Sequence, residues 1–135
     1  MLFRSVVYDA TPATVTLVQA TGQADPAKND SIAFTFSANE DLQTSSVTAA
    51  DFAATNATGV TVTGSGATYT VTVTATRDGA VSLAPGSDFS VLDIAGNATT
   101  TAGGTDRTVT YDTIAPALTI AQAAGQADQI GRAHV

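Results

Sequence analysis

Aspartate is the residue type through which this chain could do chemistry. Eleven of its 12 acidic residues are Asp, the other being Glu40, and most of the aspartates stand beside a turn residue, whether glycine, asparagine, proline, serine or threonine. A turn aspartate is a hard oxygen donor. Calcium takes roughly six to eight such oxygens from carboxylates, amide side chains and main-chain carbonyls. The candidate ligand set is Asp25, Asp93, Asn97 and Asp112, with Asp9 as an alternative to Asp112. These residues have neither EF-hand spacing nor a glycine-rich nonapeptide repeat, so calcium would depend on the fold to gather them. The competing reading is that Asp112 ends a strand and Asp93 orders its own turn by accepting nearby amide hydrogen bonds.

Other chemistry has little to work with. Cysteine is absent and His134 is the only histidine, so neither a Ser-His nor a Cys-His nucleophile can be assembled around the centre of the chain. Carboxylate pairs need burial to drive their pKa values apart before one can act as acid and the other as base, and these aspartates lie among turn formers. Gly64-Ser65-Gly66 lacks the lysine and following helix of a phosphate loop and reads as a turn. Between the two ends only Lys28, Arg77 and Arg107 are basic, which argues against nucleic acid as a partner. No apolar run reaches membrane-spanning length, so no membrane insertion is expected. The chain is not expected to be an enzyme.

The elements that must position the aspartates are organised around a stretch that occurs twice. Val6-Val7-Tyr8-Asp9 and then Thr16-Leu17-Val18-Gln19-Ala20-Thr21-Gly22-Gln23-Ala24-Asp25 return as Val109-Thr110-Tyr111-Asp112 and Thr119-Ile120-Ala121-Gln122-Ala123-Ala124-Gly125-Gln126-Ala127-Asp128, at a constant offset of 103 residues. A period of that size is a whole domain. The two copies then mark the same junction in successive units. Residues 6–9 are expected to be the last strand of a preceding repeat, 10–112 one repeat domain, and 113–128 the first strand of the next.

The two ends lie outside that scheme. Met1-Leu2-Phe3-Arg4-Ser5, with GTG read as the start, and Ile130-Gly131-Arg132-Ala133-His134-Val135 resemble what the two strands of a common short-read sequencing adapter would encode. Residues 1–5 and 129–135 are therefore expected to be adapter scars and are left out of fold reasoning.

Within residues 10–112, β-branched residues alternate with threonine and are broken by turn formers. Ile32, Phe34 and Phe36 fall on one face of Ser31–Ser37, and Tyr69, Val71, Val73 and Ala75 on one face of a second strand. Val15 and Leu17, Val60 and Val62, Val81 and Leu83, Phe89 and Val91, and Val109 and Tyr111 mark further strands. Val47–Phe52 reads as a short helical turn feeding a strand, and Asp78-Gly79 as a hairpin turn. About seven short strands without a helical stretch make an all-β, two-sheet antiparallel sandwich. Phe34, Phe36, Phe52, Tyr69 and Phe89 are expected in its core. Tyr8 and Tyr111 are expected to pack their rings on the core edge with the hydroxyls wet.

Four of these features together resemble the bacterial immunoglobulin-like (Big-type) tandem repeats of very long surface and secreted proteins. They are Tyr111-Asp112-Thr113 with Ala115-Pro116, the Ala-Gly-Gln-Ala-Asp opening, the Phe34-Thr35-Phe36-Ser37 strand, and the Asp93 to Ala95-Gly96-Asn97 turn. The resemblance covers residues 6–128. One departure is Ala38-Asn39-Glu40-Asp41, where those repeats often pass from Ser directly into Glu-Pro. The resemblance implies an immunoglobulin-like sandwich whose partners are adjacent repeats of the same chain. It also implies an extracellular or cell-surface location, a spacer role in an adhesin-like protein, and the habit of binding calcium at domain junctions. The alternative is a carbohydrate- or protein-binding sandwich module of a secreted protein, which exposed aromatic residues would favour.

Overall fold

The computed structural model describes residues 3–127. The expectations for Met1, Leu2, Asp128 and residues 129–135 fall outside them. The described residues form nine strands: β1 (Val15–Gln19), β2 (Ser31–Ala38), β3 (Phe52–Thr55), β4 (Ala57–Ser65), β5 (Thr68–Ala75), β6 (Gly79–Pro85), β7 (Val91–Leu92), β8 (Ala98–Thr99) and β9 (Thr108–Tyr111). One sheet has the order β1-β2-β5-β4, the other β3-β6-β9, and β7 pairs with β8 as a small hairpin. All strand pairs are antiparallel. Four strands facing three in this order is the arrangement of a constant-type immunoglobulin sandwich.

Period-two alternation explains the layers. Along β2, Ile32, Phe34 and Phe36 are buried, as are Tyr69, Val71 and Val73 on β5 and Val81 and Leu83 on β6. Threonines and serines take the alternate, outward positions. Phe36 sits at the centre of an aromatic cluster, edge-to-face with Phe52 at 5.3 Å and with Phe89 at 5.9 Å. Such pairs add about 0.5–1.5 kcal/mol each beyond the area they bury. All five aromatics expected in the core are there, each under a tenth exposed.

Two expectations are corrected. Asp78-Gly79 does not close a hairpin, because β5 pairs with β2 and β4 while β6 pairs with β3 and β9. The dipeptide is a corner between sheets. Only Gly79 takes a positive φ, 125°, and the Asp78 carboxylate instead accepts the amide and hydroxyl of Thr113. Tyr8 is 90% exposed, while its counterpart Tyr111 packs against the core. Tyr111 has β6 beside it, whereas Tyr8 lies in residues 3–8, which are exposed and form no strand.

The expected turn before β3 is present as two short 3-10 turns, Thr44–Ser46 and Ala49–Asp51. The buried Asp51 carboxylate accepts the Thr48 amide at 2.7 Å and hydroxyl at 2.8 Å. Strand β4 is longer than its Val60-Val62 pattern announces, with a register shift between Thr58 and Thr61.

Strand direction fixes where the two flanks attach. β1 starts beside the end of β2, with Val15 opposite Ala38. β9 ends beside the start of β6, with Tyr111 opposite Gly79, and β6 starts at the end where β2 starts and β5 finishes. The flanking segments thus join the sandwich at opposite poles. They are separated by the length of β2, about 27 Å at the usual rise per residue.

Candidate functional site

The predicted ligands divide between these poles. At the entry pole, the β7–β8 turn holds Asp93 fully buried. Asn97 donates its amide N–H to Asp93 Oδ1 and its side-chain Nδ2 to Asp93 Oδ2, both at 2.8 Å. Gly96, at φ 97°, lets the chain close the turn, and its amide donates to the Asp93 carbonyl at 3.1 Å. Asn97 Nδ2 also donates to the main-chain carbonyl of Asp9 at 3.1 Å. One side chain therefore ties the incoming flank to the hairpin.

Asp9, Glu40 and Asp93 each place a carboxylate oxygen within 4.8 Å of the others. The departure at Ala38–Asp41 thus brings Glu40 into contact range of two other acids. Burial raises the Glu40 pKa above its ordinary value, and the charges of Asp9 and Asp93 raise it further. For Asp93, desolvation pushes the same way, but the hydrogen bonds from Asn97, Gly96 and Ala95 together outweigh it and hold its pKa below the ordinary value.

At the exit pole, Asp25 Oδ1 accepts the Thr110 amide at 2.9 Å and Asp112 Oδ1 accepts the Ile114 amide at 2.9 Å. Ala27 bridges Tyr111, with its amide donating to the Thr110 carbonyl and the Asp112 amide donating back to its own carbonyl. Asp78 receives Thr113 N at 2.7 Å and Thr113 Oγ1 at 2.9 Å.

Of the four predicted ligands, then, Asp93 and Asn97 lie together and Asp25 and Asp112 lie together, one pair at each pole. Asn97 donates from its main-chain amide and from Nδ2. Among the described residues, the acidic side chains that gather within 4.8 Å of one another are Asp9, Glu40 and Asp93, which offer three of the roughly six to eight oxygens calcium takes. Sequence pattern did not single out Glu40 for this role, since nothing local links it to a turn more than 50 residues away. Asp9 was legible, because it is the 103-residue counterpart of Asp112.

The two copies of the repeated stretch share more than sequence. Asp9 Oδ1 accepts the Thr11 amide at 3.0 Å, as Asp112 Oδ1 accepts that of Ile114. Gln19 Nε2 donates to the Gln23 carbonyl at 3.1 Å, and Gln122 Nε2 to that of Gln126 at 2.7 Å. Gly22 and Gly125 take φ of 83° and 78°. The second copy adopts this local geometry although residues 113–127 are exposed and form no strand.

Neither a protein-family model, a curated protein nor a solved structure matches the chain. Among the described residues, no helix is long and apolar enough to cross a membrane.

Proposed function

We propose that this chain carries one unit of a tandem array of immunoglobulin-like domains, flanked by parts of its neighbours. The unit is a structural spacer in a long bacterial cell-surface or secreted adhesin-like protein, and it extends a distal binding region. The observation that carries this reading is the pairing of opposite-pole attachment with recurrence. The flanks join at the two ends of the sandwich, and they repeat each other at 103 residues in sequence and in local hydrogen bonding. A unit so connected adds its long dimension to the array. Net charge of −7 favours solubility and keeps neighbouring rods apart.

The alternative of a sugar-binding module draws on exposed aromatics. The aromatic side chains of the sandwich face inward, and the strongly exposed ones, Phe3 and Tyr8, belong to the flank. The role proposed is mechanical and not catalytic. The Asp9–Glu40–Asp93 group adds a second element to the proposal, a hard divalent cation such as calcium bound where the flank enters, neutralising like charges that lie within 4.8 Å.

The test is the parental reading frame. Further copies at about the same spacing are the expected result for a domain-sized repeat; a frame holding this unit once, between unrelated domains, overturns the spacer.

A further inference from the structure

The two poles hold complementary halves of two counterpart peptide groups, Asp9–Ala10 and Asp112–Thr113. At the entry pole, Asn97 Nδ2 donates to the carbonyl of Asp9, while the amide of the next residue, Ala10, meets no partner among the described residues. At the exit pole the situation is reversed. Asp78 accepts the amide of Thr113 at 2.7 Å, while the carbonyl of Asp112 meets no partner among the described residues. Asp9 and Asp112 are counterparts at the 103-residue offset, and so are Ala10 and Thr113.

From this we infer that successive units abut at a single shared peptide, Asp112–Thr113, gripped by both. Asp78 of one unit holds its N–H, and the Asn97 counterpart of the following unit holds its C=O. The inference rests on the tandem reading and identifies the partner surface: the exit pole of one copy docks on the entry pole of a second copy of the same fold.

Three features make the grip physically workable. In a trans peptide the C=O and N–H point to opposite sides, so two units can approach it without competing. The local geometry is already set on both flanks, because the Asp9 and Asp112 carboxylates each accept the amide two residues on. The exit side is further fixed by the Asp112 amide, which donates to the Ala27 carbonyl at 2.9 Å. Asp78 also accepts the Thr113 hydroxyl, so residue 113 is bound at two of its groups. With no free residue between the grips, the joint has the stiffness of the two sandwiches. Asp78 and Asn97 are then positioning residues that set the angle between units.

The test uses a tandem protein in which residues 1–118 of one copy run on into Thr16 of a second copy, preserving the 103-residue register. Backbone 15N relaxation is expected to show both sandwiches folded and tumbling as one elongated body. Asp78→Ala in the first copy is expected to release them into separate tumbling without changing the spectrum of either core. A Gly-Ser insertion between Asp112 and Thr113, which leaves both grips intact but splits the shared peptide, is expected to do the same. Two folded sandwiches that tumble independently without any substitution overturn the shared joint while leaving the tandem reading in place, and so does rigid tumbling that survives the insertion. A second copy whose spectrum fails to match that of the single chain's sandwich overturns the tandem reading itself.

Discussion

Leu17 and Ile120 stand 103 residues apart at equivalent places in one pattern, yet Leu17 is wholly buried and Ile120 wholly exposed. The same holds for Val15, 4% exposed, and Leu118, 87% exposed. The difference is one of neighbours. Leu17 lies opposite Phe36 on β2, and its amide donates to the Gly103 carbonyl at 3.0 Å, whereas Ile120 has no sheet beside it. An apolar alternation is an instruction to pair, and among the described residues it is carried out at β1, where β2 lies alongside.

Leu17→Ala is accordingly expected to cost about 2–5 kcal/mol, the range for truncating a buried leucine. Ile120→Ala is expected to stay within about 0.5 kcal/mol, as for an exposed position. Urea unfolding of the two variants checks this. Equal costs would mean that residue 120 is packed and the flank is not an unpaired strand.

How much of this was legible depends on the range of each signal. Strand β5 was readable because Tyr69, Val71, Val73 and Ala75 alternate with threonines over a full strand, a local pattern that burial on one face enforces. The Asp78-Gly79 corner was not, because the same dipeptide serves a hairpin or a crossover, and the choice lies in which sheet β6 joins. Asp93 and Asn97 were readable as a turn from their spacing. Their contact with Asp9, 88 positions from Asn97, and the approach of Glu40 come from tertiary packing that no window of sequence contains.

Gly104 tests how tightly the closing loop seals the β1 edge. It takes φ of 93°, and a Cβ added there would run into the Leu17 carbonyl oxygen and come within 2.9 Å of Val18 Cγ1. Arg107 reinforces the contact, donating to the Ala102 carbonyl at 2.6 Å and the Gly103 carbonyl at 2.7 Å. Gly104→Ala is expected to cost about 2 kcal/mol or more, from the left-handed backbone and the clash together. Gly22→Ala has a similar φ of 83° and nothing within 4 Å, so it is expected to cost only the backbone term, about 1 kcal/mol. Thermal melts of the two variants side by side decide it; indistinguishable midpoints would mean that the loop stands off from β1.

The entry pole predicts an opposed response to acid. Glu40 holds its proton more tightly in the folded chain than in the unfolded one, first through burial and then through Asp9 and Asp93. Stability is therefore expected to rise as pH falls through the raised Glu40 value toward the ordinary 4.5. Asp93 has its pKa lowered, so its contribution is complete above the ordinary 3.8 and is lost as pH falls below that through the depressed folded value. Denaturation midpoints measured with chelator from neutral pH downward should pass through a shallow maximum and then drop. Glu40→Gln should remove the rise and keep the drop. A rise that persists in the glutamine variant would place the proton elsewhere.

A divalent cation at the same group would act on the same charges. An ion that binds only the folded chain raises the melting midpoint as its concentration exceeds its dissociation constant. Calcium at a few millimolar, in the range of extracellular calcium sites, is expected to raise the midpoint relative to chelator. Asp9→Asn combined with Glu40→Gln should abolish the shift, because it leaves Asp93 as the only carboxylate of the trio, with both of its oxygens already accepting hydrogen bonds from Asn97. Asp25→Asn lies at the opposite pole, where the Asp25 carboxylate accepts the Thr110 amide, and should keep the full shift. The two substitutions therefore separate a bound ion from general charge screening, which every acidic residue on the surface would share. Screening lowers repulsion wherever it occurs, so under screening alone the Asp25 and Asp9/Glu40 variants would respond alike and sodium at matched ionic strength would reproduce the effect. An absent calcium shift in the parent chain would leave the three carboxylates as a repulsive cluster, in which Asn97 bonds the Asp93 carboxylate and the Asp9 main chain.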